Sequence, residues 1–198
     1  MKHLILLLAT LYLRVPAFRE SLEMPMRRTK EIVDSISQDV KISNRDEFEF
    51  TQTDLIKSEL RLIDKVQECL SKKYYQLYVI EDSDINTITS DNPFILSHPK
   101  GGNGFYFGLN TPNVEICVPI TKNAILIGRN EKINEGTYIA RKEFVGLMNT
   151  KVILSANRFF YSKDTEILLI DDDLSVYKHN ISTNKSKHSD AAKAASGV

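Results

Sequence analysis

Tryptophan is absent from the 198 residues, and cysteine occurs only at Cys69 and Cys117. The sequence has no CxxC pair and no cysteine–histidine cluster, so the usual zinc-ligand spacings are missing. Two cysteines allow one disulfide, but both lie in apolar patterns, which favours free core thiols in a reducing compartment. We therefore predict a cytoplasmic protein without a metal or another cofactor.

The sequence also lacks an excess of charge of either sign. Lys+Arg and Asp+Glu both number 26, giving a formal net charge of zero. Such a protein has no general electrostatic attraction to nucleic acid or to an acidic membrane surface, so we expect neither as a partner. Hydrophobic residues make up 42% of the chain, which is enough to form a sizeable core.

The apolar run from Leu4 to Leu13 is too short to span a membrane. It has about ten residues, whereas a spanning helix needs roughly 20. That length would suit a signal peptide, but no small-x-small cleavage site follows. A helix buried on all sides is the favoured interpretation, and a signal or anchor segment is the alternative. We expect Pro16 to end this helix because it disfavours the helical conformation at Val15.

The order of predicted elements indicates the fold class. Helices are predicted at residues 4–15 and 51–73, with a polar surface helix or connector at 23–42. Strands are predicted at 74–80, 86–90, 115–120 and 124–128, followed by a long amphipathic helix at 138–160 and a hairpin formed by 166–170 and 174–178. N-terminal helices followed by mostly adjacent strands favour an α+β fold with an antiparallel or mixed sheet.

Two of these helices carry apolar residues at helical spacing. For the earlier one, Thr51 or Thr53 is a suitable N-cap and Asp54 suits the first turn. Its predicted buried stripe is Ile56, Leu60, Ile63, Val66 or Gln67, and Leu70. The stripe of the later helix is Val145, Met148, Val152, Ala156 and Phe159.

We divide the chain into four segments on this pattern. Residues 1–22 form a buried apolar helix with an Arg-x-Pro end, and residues 23–73 form a helical region. Residues 74–180 form the α+β core. Residues 181–198 are rich in Ser, Asn, Lys and Ala, which predicts a disordered tail.

Asn149 is a polar residue within an apolar stripe. At about 100° per residue, it lies roughly 40° from Val145 and about 20° from Ala156. A buried amide without hydrogen-bond partners costs about 1–3 kcal/mol, so partners must be present inside the protein. Asn149 therefore either bonds the backbone of a loop or lines a polar pocket.

The sequence Ser90-Asp91-Asn92-Pro93 is the natural candidate for a segment that meets Asn149. By itself it is typical of a type I turn, in which the polar side chains bond nearby backbone and proline fixes φ. Alternatively, Asp91 projects from a strand end as a base, a ligand or an orienting carboxylate.

Arg14 lies in the last turn of the predicted first helix. There its charge interacts favourably with the helix dipole and its stem can cover apolar surface. The alternative is a bidentate ion pair with a carboxylate such as Asp91.

Five short motifs follow one another in the sequence: Arg14-x-Pro16, Thr89 to Pro93, Val118 to Thr121, Leu147 to Asn149 and Ala156 to Ser162. In this order they resemble domain of unknown function family 4238. The resemblance extends over residues 9–162 and implies that Arg14, Asp91, Asn92, Pro93 and Asn149 are signature positions, but it implies no reaction. It also implies an N-terminal portion that would precede residue 1, as in a truncated or split gene, and another protein or chain is a candidate to complete it.

Other candidate motifs carry less information. The glycines at 101, 102 and 104 lack the spacing of a phosphate-binding loop. Asp171-Asp172-Asp173 is expected to form a solvated hairpin turn, and His98 is a weaker candidate acid or base.

Two classes of function are consistent with these observations. The favoured class is a non-catalytic interaction or regulatory domain, such as an immunity- or defence-associated protein, because no complete catalytic set is visible. The alternative is a hydrolase or phosphate-handling enzyme in which Asp91 acts while Arg14 and Asn149 bind or orient the substrate. That alternative predicts that the three side chains converge in one cleft.

Overall fold

The computed structural model describes residues 2–36, 49, 51–98 and 108–183. Its helices are α1 (Lys2–Arg14), α2 (Pro16–Ile36), α3 (Gln52–Ser71) and α4 (Lys142–Ser155). Its strands are β1 (Tyr74–Val79), β2 (Thr89–Ser90), β3 (Ile95–Ser97), β4 (Glu115–Thr121), β5 (Ala124–Arg129), β6 (Gly136–Ile139), β7 (Phe160–Tyr161), β8 (Glu166–Ile170) and β9 (Val176–Asn180). The α+β class, with helices before the sheet, is confirmed.

The main sheet has five strands in the order β3-β4-β5-β1-β6. Its neighbours are antiparallel except for β1 and β6, which run parallel, so the sheet is mixed. Two further antiparallel pairs, β2 with β7 and β8 with β9, lie outside this sheet.

Side chains of β4 alternate between two hydrophobic clusters. Ile116 and Val118 pack in the cluster that contains α1 and α3, whereas Cys117 packs in the cluster that contains α4 and β8. The sheet is therefore covered on both faces by helices. Both cysteines are free thiols, Cys117 buried and Cys69 half-buried, as predicted.

Helix α1 ends at Arg14, and Pro16 begins α2, where a missing N–H is tolerated. The expectation of burial on all sides is wrong. Leu8 is inaccessible, but Leu6 and Leu7 are 45% and 49% exposed because α1 packs onto the body by one face. Among the described helices, none has the length and apolar character to cross a membrane.

Helix α2 confirms the predicted surface helix but starts earlier, at Pro16, and has no buried residue. The predicted positions 37–42 lie outside the described residues. The capping of α3 is confirmed, since Thr51 and Asp54 form a capping box.

The predicted stripe of α3 is wrong in its first turns. Ile56 and Leu60 are exposed, and Leu55 and Glu59 are buried instead. Burial of Glu59 cannot be predicted from the pattern of apolar residues, because its side chain is charged. Its burial is possible because Arg19 on α2 donates two hydrogen bonds to the carboxylate, at 2.6 and 3.2 Å.

Helix α4 is shorter than the predicted span of 138–160. Tyr138 belongs to β6 and Ala156 is extended, so the predicted stripe members Ala156 and Phe159 lie beyond the helix. Phe159 is exposed. The predicted strand at 86–90 is reduced to β2, and β3 and β6 were not predicted.

The C-terminal hairpin is confirmed, with its second strand two residues later than predicted. Residues 181–183 form a 3-10 helix, so the predicted disorder is wrong for these three, and 184–198 lie outside the described residues. The division into four segments stays a prediction.

Candidate functional site around the Ser-Asp-Asn-Pro turn

Asn149 is completely buried on α4, as its position on the helical wheel predicts. Its Oδ1 accepts the backbone N–H of Ile88 at 3.0 Å. Its Nδ2 donates to the carbonyl oxygens of Asn86 at 3.1 Å and Leu168 at 3.0 Å. The amide thus joins α4 to the segment before β2 and to β8. Its oxygen and its nitrogen both form hydrogen bonds with backbone groups.

Asp91 binds the backbone that follows α4. Its carboxylate accepts N–H groups from Asn157 at 2.9 Å, Arg158 at 2.8 Å and Phe159 at 3.3 Å. Three successive donors around one carboxylate form a small anion-binding concavity, occupied here by a side chain of the same protein.

The rest of the motif holds the same junction. Ser90 Oγ accepts the N–H of Asn92 at 3.1 Å and donates to its carbonyl at 2.9 Å, which closes the turn. Asn92 Nδ2 donates to the carbonyl of Ser155 at 2.9 Å, at the end of α4. The turn and Asn149 therefore fix the same helix at two places.

Arg14 lies on the exposed side of the last turn of α1. Within the described part of the chain, none of the ion pairs includes Arg14, and the carboxylate of Asp91 bonds backbone instead. No hydrogen bond joins any two of Arg14, Asp91 and Asn149 in the described residues. The structure does not bring the three predicted site residues together as one bonded set, and their functional roles stay predictions.

A groove of about 550 Å³ lies beside the turn. Ser90 and Pro93 contribute to it, so it touches the predicted motif without including Asp91 or Asn149. Its other walls come from α1, from the end of β4 and from β7. The remaining lining residues are Leu7, Leu11, Thr87, Ile88, Thr89, Pro119, Ile120, Thr121, Lys122, Tyr161, Ser162 and Lys163.

Sequence reasoning missed this groove because its walls come from distant parts of the chain. One signal was available in Pro119, which follows buried Val118 inside a strand and cannot donate a backbone hydrogen bond. A proline there indicates that one edge of the strand is not fully paired.

Burial shifts the pKa values of Lys73, Tyr75 and Cys117, and these side chains lie outside the groove. Lys73 donates to Asn130 Oδ1 at 2.6 Å, and burial lowers the pKa of its amine. Burial raises the pKa of the Cys117 thiol to about 12 and also raises the pKa of Tyr75. In the described ranges there is no group of three or more His, Cys, Asp or Glu side chains placed to hold a metal ion.

The weaker candidates have ordinary surroundings or fall outside the described residues. Asp171 accepts the N–H of Ser175 at 2.7 Å, and the three aspartates are exposed at the β8–β9 turn. His98 follows β3 and does not line the groove. The glycines at 101, 102 and 104 lie outside the described residues.

Comparison with known proteins gives one match. A family model described as a protein of unknown function (DUF4238) matches residues 1–166. No curated protein and no solved structure matches the chain. The matched region contains the groove, the turn and Asn149, and it ends at the first residue of β8.

Proposed function

The chain belongs to the DUF4238 family of proteins of unknown function, and we propose that it works by binding another protein rather than by catalysing a reaction. The observation that carries this proposal is the apolar surface beside the groove. Leu7, Ile120 and Tyr161 line the groove and are 49%, 38% and 56% exposed. Apolar side chains grouped at a surface groove are typical of protein interaction sites.

The contacts of the signature residues support the same proposal. Asp91 already accepts three backbone N–H groups, and Asn149 is saturated by backbone groups in the core. Both side chains hold α4 in place. The alternative proposal, a hydrolase or phosphate-handling enzyme, would require Asp91 to give up these contacts before it could act as a base.

A regulatory role, such as that of an immunity- or defence-associated protein, is the narrower form of this proposal, because such proteins act through a bound partner. We propose that it acts in the bacterial cytoplasm. Two free thiols, one of them half-buried, support a reducing compartment.

Affinity capture from the source cells tests the binding function. We expect proteins retained by the wild type to be lost with Leu7→Ser/Tyr161→Ser, which changes two exposed residues that line the groove. The matched control is Leu154→Ser, which changes a leucine that is 74% exposed on α4 and lies outside the groove. Circular dichroism would verify that each variant is folded. Equal retention by the two variants, or no specific retention by the wild type, would contradict the proposal.

A further inference from the structure

The groove beside the turn combines apolar walls with charge of one sign. Leu7, Leu11, Pro93, Ile120 and Tyr161 supply apolar surface. Its charged lining residues are two lysines, Lys122 and Lys163, and the described lining contains no carboxylate. Both lysines are exposed, and neither takes part in an ion pair within the described residues. Their charge is therefore available to an incoming group.

A third cation extends the same surface. Residues at positions i, i+4 and i+7 share one face of a helix, so Arg14 lies on the face of α1 that presents Leu7 and Leu11 to the groove. Arg14 is exposed at the end of that face. The apolar strip on α1 thus ends at a positive charge.

The hydroxyl groups around the groove contribute less to recognition because most of them already donate. Thr87 donates to the Ile88 carbonyl, Thr121 to Asn123 Oδ1 and Ser162 to the Asp164 carbonyl. We therefore expect Lys122 and Lys163 to recognise a charged group on the ligand.

We propose that this groove binds a short segment of a partner protein in which one or two large apolar side chains are flanked by Asp or Glu. The inference rests on the proposed binding function and adds the surface and the chemistry of the bound segment. The apolar side chains would cover Leu7, Ile120 and Tyr161. The acidic residues would pair with Lys122 and Lys163, which form no ion pair in the part of the chain that the structure describes.

A polypeptide segment fits this surface better than a small acid does. Small-molecule sites enclose about 70–90% of their ligand. Here Leu7 and Tyr161 are themselves about half exposed to solvent, so a small ligand between them would stay largely hydrated. A peptide continues past the walls and covers them.

Selection of peptides against the full-length protein tests this inference. A random twelve-residue library displayed on phage would be panned on the wild type, and the most enriched peptide would be synthesised. A second peptide would carry Asn and Gln in place of its Asp and Glu. Affinities of both would be measured for the wild type, for Lys122→Glu/Lys163→Glu and for Leu7→Ser. The matched control is Lys132→Glu/Lys142→Glu, two exposed lysines outside the groove.

We expect enrichment of peptides with an apolar residue flanked by acidic ones. Lys122→Glu/Lys163→Glu should bind the acidic peptide about ten-fold more weakly or worse, whereas Lys132→Glu/Lys142→Glu should retain the wild-type affinity. The peptide with Asn and Gln should bind both of these variants equally well. Added salt should reduce the difference, since charges at a rim are screened.

Three results would overturn the inference. The first is enrichment of basic or uncharged peptides, and the second is equal binding by the groove and control variants. The third is that no peptide is enriched while decanoate or phosphatidylglycerol vesicles bind the wild type and bind the groove variants less well. That result would show that the groove binds lipid. The first two leave the binding function intact, because its own test depends on Leu7 and Tyr161 and not on the lysines.

Discussion

Asp91 and Phe159 bond each other in both directions. The backbone N–H of Asp91 donates to the Phe159 carbonyl at 3.0 Å, and the Asp91 carboxylate accepts the Phe159 N–H at 3.3 Å. Two further N–H groups, from Asn157 and Arg158, share the same carboxylate. Asp91 therefore stabilises the exit of the chain from α4.

Asp91→Asn should destabilise the protein, because an amide nitrogen cannot accept the N–H groups that the carboxylate oxygens bind. Loss of hydrogen bonds to a charged acceptor predicts a decrease of about 1–3 kcal/mol in the free energy of unfolding, measured by urea titration. Asp172→Asn, in the exposed turn after β8, is the control and should change little. Equal stability of the two variants would show that the three contacts contribute nothing.

Asn149→Ala should be more damaging, because it leaves one backbone N–H and two carbonyls without their partner in the core. We expect a loss of about 3 kcal/mol or more, from unsatisfied groups and the space left behind. Asn149→Leu, which restores volume but not hydrogen bonds, should recover little. Leu154→Ala on the exposed side of α4 is the control, and an Asn149→Leu protein of wild-type stability would contradict the account.

Arg19→Leu should lower the free energy of unfolding, because it removes the hydrogen bonds between α2 and α3. The change leaves the buried Glu59 carboxylate without the guanidinium that donates to it at 2.6 and 3.2 Å. We expect a loss of about 1–3 kcal/mol, because Arg19 is itself partly exposed and screened. Arg27→Leu removes the exposed Arg27–Glu23 pair on α2 and should cost less than about 0.5 kcal/mol. Similar losses in both variants would show that the buried pair has no special importance.

Gly146→Ala should destabilise α4 although alanine favours helices by about 1 kcal/mol over glycine. A Cβ at position 146 would lie 3.2 Å from the backbone carbon and oxygen of Leu169 in β8. Backbone cannot move aside easily, so we expect a net loss of about 1–2 kcal/mol in thermal or urea unfolding. At Gly108 a Cβ meets nothing within 4 Å, so Gly108→Ala is the control and should be neutral or stabilising. A stabilised Gly146→Ala protein would contradict the close approach.

The two thiols should differ in reactivity and in their effect on alkaline stability. Cys69 is half-buried and should react with a thiol reagent in the native protein, whereas Cys117 should react only on unfolding. Burial raises the pKa of Cys117 from about 9 to about 12. Above pH 9 the unfolded thiol ionises while the native one stays protonated, so stability should fall as pH rises from 9 towards 12.

Cys117→Ala is the matching variant for this pH dependence. Unfolding free energies measured across that range should decline less steeply for the variant, because its unfolded state lacks the ionising thiol. Tyr75 and Lys73 are the same in both proteins, so the difference between the curves reports Cys117 alone. The raised pKa of Tyr75 also lowers stability as pH rises, whereas the lowered pKa of Lys73 increases it. Parallel curves for the two proteins would count against the buried thiol.

The sequence predicted elements whose signal is local. The cap at Thr51, the end of α1 before Pro16 and the burial of Asn149 each follow from a few neighbouring residues. The periodicity that buries Asn149 does not identify its partners, because Asn86, Ile88 and Leu168 reach it only through the fold.

The sequence did not predict elements that depend on distant pairing. Strand β6 is short and mostly exposed, and it forms because β1 offers a parallel edge. Glu59 is buried because Arg19 reaches it from another helix. Apart from Pro119, the groove has no local signal in the sequence, since α1, β2, β4 and β7 meet only after folding.

The alternation along β4 limits how this region can change in length. Ile116 and Val118 point into one cluster and Cys117 into the other, so deletion of one residue before them would send each side chain into the opposite layer. Each of the two hydrophobic clusters would then contain side chains that do not fit its packing. Length variants among related chains should therefore accumulate at the Thr121–Ala124 turn, where an added residue leaves the strand frame intact, and should be selected against inside the strand itself.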